Sequence, residues 1–138
     1  MVGAVLLAVV GLSVPVGATS AAETCGATAQ QWAGTFQGKV HSPYYTKSLT
    51  VRVGQSLGVV TTKAGHEHPQ STGALSGGKL NWATYAYEVS PPFGPMRHDD
   101  DFTTTSVTCA AGKVTAFSGN LHVVHAASGP SDATFSVS

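Results

Sequence analysis

The run Trp32-Ala33-Gly34-Thr35-Phe36-Gln37-Gly38-Lys39-Val40-His41 alternates without a break. Trp32, Gly34, Phe36, Gly38 and Val40 fall on one side, and Ala33, Thr35, Gln37, Lys39 and His41 on the other. Successive side chains of a β-strand point to opposite faces, so this period of two predicts a strand with one buried and one wet face. Ser42-Pro43 ends it. The next segment repeats the pattern, with Leu49, Val51 and Val53 inward and Ser48, Thr50 and Arg52 outward.

Further strands are expected outward from this pair. Gly54-Gln55 turns into Leu57 to Thr62, and a polar loop follows from Lys63 to Gln70. Short strands at Ser71 to Ser76 and Lys79 to Val89 meet at Gly77-Gly78, a dipeptide suited to the positive φ angles of a tight hairpin. Pro91-Pro92-Phe93-Gly94-Pro95 reads as a loop, because proline cannot donate to a ladder. The acidic run His98-Asp99-Asp100-Asp101 reads as a continuation of that loop. Then come Phe102 to Cys109, Lys113 to Ala127 with an interruption near Gly119-Asn120, and Ala133 to Val137. No helical period follows the first 22 residues. The expected fold is all-β: a single antiparallel meander barrel or sandwich of about eight strands, held by one disulfide.

The first charged residue of the 138 is Glu23. Val2 to Ala22 is apolar or small throughout, with Leu6, Leu7, Val9, Val10 and Leu12 at its heart and Ala18-Thr19-Ser20-Ala21-Ala22 at its end. Such a stretch predicts a signal peptide, residues 1–22, cleaved after Ala22 to leave one secreted β domain, residues 23–138. The dense apolar part before Pro15 spans about 10 to 15 residues, short of the roughly 20 that a membrane-spanning helix needs. No membrane span is therefore expected after cleavage. The predicted location is extracellular or cell-wall associated. Absent isoleucine and abundant Ala, Gly, Val and Thr suggest a GC-rich, bacterial coding bias.

Two cysteines in an exported chain predict one bridge, Cys25 to Cys109. Seven basic and seven acidic residues cancel, which argues against a nucleic-acid partner. Only 10% of residues are charged, so Thr, Ser, Gln and Gly must supply most of the wet surface.

Trp32-Ala-Gly34-Thr-Phe36-Gln-Gly38, the Ser48 to Val53 strand, and Gly73-Ala-Leu75-Ser-Gly77-Gly-Lys79-Leu together resemble the opening of lipocalin and avidin-like (calycin-type) meander barrels. The resemblance covers about half of the segment after Ala22 and implies hairpins punctuated by glycine around a central interior. The chain departs from avidins in lacking most of their interior tryptophans, and from lipocalins in lacking a C-terminal helix. Biotin binding is not implied.

Three groups of residues carry candidate chemistry. Trp32, Phe36, Trp82, Tyr85 and Phe117, with Tyr87, could line an interior that holds a small apolar ligand; the competing reading is ordinary core. Trp82 and Tyr85 lie on opposite faces of a regular strand. His66, His68 and His98 could meet around Zn or Cu if their loops share one end of the fold, although an H-x-H pair is common by chance. His122 and His125 are expected on opposite faces, one at the surface and one half-buried. No catalytic residue is assigned and no cofactor is expected: the chain has no Gly-x-Ser-x-Gly elbow, HExxH motif or phosphate loop. The leading expectation is a non-enzymatic exported β-barrel that binds a small molecule or a protein partner. Its alternatives are a metal-binding or hydrolytic domain using the His/Asp loops, and a cell-surface structural protein without a pocket.

Overall fold

A computed structural model describes residues 25–89 and 91–138. The signal peptide expected at residues 1–22 lies outside the described residues. One helical turn, α1 (Ala29–Trp32), leads into ten strands. They are β1 (Gly34–His41), β2 (Thr46–Val53), β3 (Gly58–Lys63), β4 (His66–Glu67), β5 (Ser71–Thr72), β6 (Ala74–Ser76), β7 (Lys79–Val89), β8 (Pro95–Ala110), β9 (Lys113–His125) and β10 (Gly129–Val137).

All pairings are antiparallel, in the order β4-β3-β2-β1-β10-β9-β8-β7-β6, with β5 also on β3. First and last long strands are neighbours, Val40 opposite Phe135, as a meander that curls on itself requires. The sheet is nevertheless open. Residues 71–76 pass between its two ends, with β5 paired to β3 and β6 paired to β7. The handover falls at Gly73, where a Cβ would press on Leu80.

Alternation fills the interior. Phe36 and Val40 from β1, Leu49, Val51 and Val53 from β2, Leu80 and Trp82 from β7, and Phe117, Leu121 and Val123 from β9 form one core with Phe102 and Phe135. Trp82 stacks on Phe102 at 4.5 Å between ring centroids, and Phe117 meets Phe36 edge-on at 4.9 Å.

Several expectations need correction. Trp32 is not in the first strand; it ends α1, where Gln31 Oε1 accepts a hydrogen bond from the Thr28 N–H (3.1 Å). It remains fully buried, edge-on to Phe117 at 4.9 Å, and its Nε1 donates to the Gly26 carbonyl (2.8 Å). The interruption expected near Gly119 is absent, and β9 runs through. Gly119 is needed there by close approach, since a Cβ would collide with the Thr103 carbonyl of β8. The acidic run is not a loop: β8 begins at Pro95, a position where a missing N–H is tolerated, and carries His98 to Asp101 within it. Three short strands, β4 to β6, bring the count to ten.

The disulfide joins Cys25 to Cys109, with Cα atoms 5.9 Å apart. It ties the segment before α1 to the far end of β8. At that end Lys113 Nζ also donates to the carbonyls of Gln30 (2.7 Å) and Ala33 (3.1 Å), so α1 and Trp32 close one end of the interior. No helix among the described residues is long and apolar enough to cross a membrane.

Candidate binding site

Toward the other end, the inward faces change from apolar to ionisable. On β8 the buried series reads Thr104, Phe102, Asp100, His98. On β3 it reads Val59, Thr61, Lys63. On β7, Leu80, Trp82 and Thr84 are buried, while Ala86 is half-buried and Glu88 more open. The boundary is a hydrogen bond from Trp82 Nε1 to Thr61 Oγ1 (3.0 Å).

Beyond it lies a buried charge network. Asp100, wholly inaccessible, accepts from Lys63 Nζ on Oδ2 (2.6 Å) and meets His98 Nδ1 on Oδ1 (2.8 Å). His98 Nε2 sits 2.9 Å from Glu88 Oε2. His68, buried, stands edge-on to His98 at 5.7 Å, with its Nδ1 3.9 Å from Asp100 Oδ2 and no hydrogen-bond partner. Burial pushes the Asp100 carboxyl up, but the His98 hydrogen bond and the Lys63 ammonium outweigh it and hold it below the usual carboxylate range. Burial pushes the His68 imidazole below its ordinary value, against the opposing pull of Asp100.

The network opens to solvent through a wedge. Over Tyr85–Val89, β7 pairs only with β8, while across the opening β4 pairs only with β3. The two edges converge where Thr84 Oγ1 donates to the Pro69 carbonyl (3.1 Å) and diverge toward the β3–β4 and β7–β8 turns. Between them lies a pocket of about 420 Å³. Lys63, His68 and His98 form its inner surface, Ala64 and His66 one wall, Ala86 to Val89 the other, and Lys47 its rim. Tyr45, half-buried nearby, has its phenol pushed up by burial and by the Asp100 charge.

The aromatic set expected to line a cavity is divided by this arrangement. Trp32, Phe36, Trp82 and Phe117 pack against one another in the core, and none of them lines the wedge. Tyr85 is on the outer face beneath Arg97, whose guanidinium carbon lies 4.2 Å from the ring centroid. Of the histidines considered for metal, His68 and His98 come together, but His66 is exposed at the start of β4. Among the described residues no three His, Cys, Asp or Glu side chains gather as a metal site. His122 is exposed and paired with Asp132 (2.7 Å), and His125 is half-buried against His98.

Lys63 was missed by sequence reasoning, and Asp100 and Glu88, candidates there only as loop or paired carboxylates, were not placed beside it. The signal existed: counting back by twos from Phe102 places Asp100 and His98 on its face, and counting on from Val59 does the same for Lys63. Family models, curated proteins and solved structures offer no match to this chain. Its site must therefore be read from its own chemistry.

Proposed function

We propose that this chain is an exported, non-enzymatic binding domain whose ligand, a small molecule or part of a protein partner, occupies the wedge between β4 and β7. The observation that carries the reading is unused hydrogen-bonding capacity at the inner end of that pocket. An ammonium has three N–H donors, yet among the described residues Lys63 Nζ has one acceptor, Asp100. His68 Nδ1 has none. Buried polar atoms in native proteins are nearly always paired, so a wedge with such an inner surface suits a ligand that supplies acceptors. The Val2 to Ala22 stretch and the bridged cysteines support export.

Native mass spectrometry of the protein recovered from its own culture medium tests this. The expected species starts at or near Glu23, is two hydrogens lighter than its reduced form, and carries an adduct that Lys63→Met loses. A bare mass in every preparation, with no ligand found by fragment screening, would count against a binding role. The nearness of the His68 and His98 rings favours one second reading, a Zn or Cu site completed by a neighbouring group. Tight Zn uptake abolished by His68→Ala would support it over the first.

A further inference from the structure

The shape of the wedge says more about its occupant than its volume does. One wall, β7 over Tyr85–Val89, is a strand edge with no neighbour among the described strands. An open edge is a row of backbone donors and acceptors ready to pair with another extended chain. The wedge is also a dead end. Below the Thr84–Pro69 contact, residues 71–76 occupy the space between β3 and β7. An extended segment can enter but cannot run through, so what enters is a chain end.

Charge decides which end. Lys63 and Lys47 face two carboxylates, Asp100 and Glu88, and both carboxylates are already engaged, Asp100 by Lys63 and His98 and Glu88 by His98. The unused donors at the narrow end are two Lys63 N–H groups, and beside them stands the unpartnered His68 Nδ1, which donates in one of its two neutral tautomers. An amino terminus would set a second ammonium beside Lys63 and offer it no acceptor. A carboxylate would accept from the free Lys63 N–H groups and lie beside their positive charge. Direction agrees, because β7 runs toward the mouth and a peptide entering carboxyl end first runs antiparallel to it, the more stable pairing. At the mouth the exposed Tyr87 and Val89 offer apolar surface to its side chains.

We infer that the wedge captures the carboxyl terminus of an extended peptide, which adds a strand to β7 along Tyr85–Val89 and sets its terminal carboxylate against Lys63 and His68. This rests on the wedge being the binding site and adds the class of its ligand.

The test is an NMR titration of the ¹⁵N-labelled protein with three probes. They are a mixed-sequence pool of apolar pentapeptides with free carboxyl termini, the same pool amidated, and hexanoate. The free pool should shift amides on both walls, in Lys63–His68 and in Tyr85–Val89. Amidation should weaken binding about ten- to hundredfold, the loss of a charge-assisted contact. Lys63→Met, with its fold checked by the unchanged amides of β9 and β10, should do the same to the free pool. Pools that bind equally would overturn the terminus, as would binding along β7 abolished by neither change. Shifts at Lys63–His68 from hexanoate, with none along β7 from any peptide, would overturn the peptide while leaving a small-acid site in the wedge. No response at the wedge to any probe would overturn the inference, and with it the wedge as a site if an adduct recovered from the culture medium maps elsewhere.

Discussion

Asp100 is the residue on which the interior charge network turns. It is wholly buried and holds both Lys63 and His98, so Asp100→Ala would leave the nearly buried Lys63 ammonium without its carboxylate. Such a loss costs about 3–5 kcal/mol, whereas replacing Lys63 and Asp100 together by Met and Leu should be near neutral or stabilising. Urea unfolding of the two variants checks this, and an Asp100→Ala cost below about 1 kcal/mol would mean that the pair is not buried in solution. The pH dependence has a definite sign. His68 binds a proton less readily folded than unfolded, so the unfolded state gains protons first as pH falls below the ordinary histidine value of 6.5. Asp100 behaves likewise from its ordinary value of 3.8 downward. Both contribute stability that is present at neutral pH and lost on acidification. The unfolding midpoint should drop between about pH 7 and pH 5, and His68→Leu should flatten that part of the curve. A midpoint that rises on acidification would contradict the assignment. These roles were hidden in the sequence by composition. Three consecutive aspartates after a proline-rich stretch read as solvated, yet the outward Asp99 and Asp101 are exposed and only the one between them is buried.

At the scale of elements, the alternating segments were legible and the departures from alternation were not. The strands from Gly34 to His41 and from Lys79 to Val89 stand where the period of two put them. Trp32 joined the right face from the wrong element: its burial follows from the alternation, but α1 and the Gly26 contact follow from local capping and the disulfide. Because it packs on Phe117 rather than lining a cavity, Trp32→Ala should cost about 3–5 kcal/mol in urea unfolding. A loss below about 1 kcal/mol would show that the indole is not packed there. The bridge beside it closes a separation of 84 residues, so Cys25→Ala/Cys109→Ala should lose up to about 4–5 kcal/mol while keeping the far-ultraviolet strand signal. An unchanged midpoint would mean that the bridge does not form. The break at Gly73 could not be seen from composition. A single glycine inside a strand pattern marks a bulge or a close approach, and only the packing of Leu80 shows that here the strand changes partner.

Over the whole molecule, two opposite ends define the design. One is sealed by α1, Trp32 and the Cys25–Cys109 bridge; the other leaves the sheet unpaired beside an interior of charged groups. The all-β meander and its single disulfide could be read from alternation, turn residues and cysteine count. The opening could not, because it depends on how far residues 66–72 follow β3 before crossing to β7, a matter of three-dimensional register. An open strand edge invites aggregation unless it is short, charged or covered, and this one is short and ends at Pro91-Pro92. Its place beside unused buried donors is what supports the proposed site. The most direct test is residue-resolved hydrogen exchange of the disulfide-intact protein. Amides of β7 between Tyr85 and Val89 that face the wedge should exchange fast in the free protein, while those paired with β8 stay protected, and occupancy of the wedge should slow the fast set selectively. Uniform protection of Tyr85–Val89 in the ligand-free protein would mean that the edge is already covered, and would contradict the wedge as a binding site.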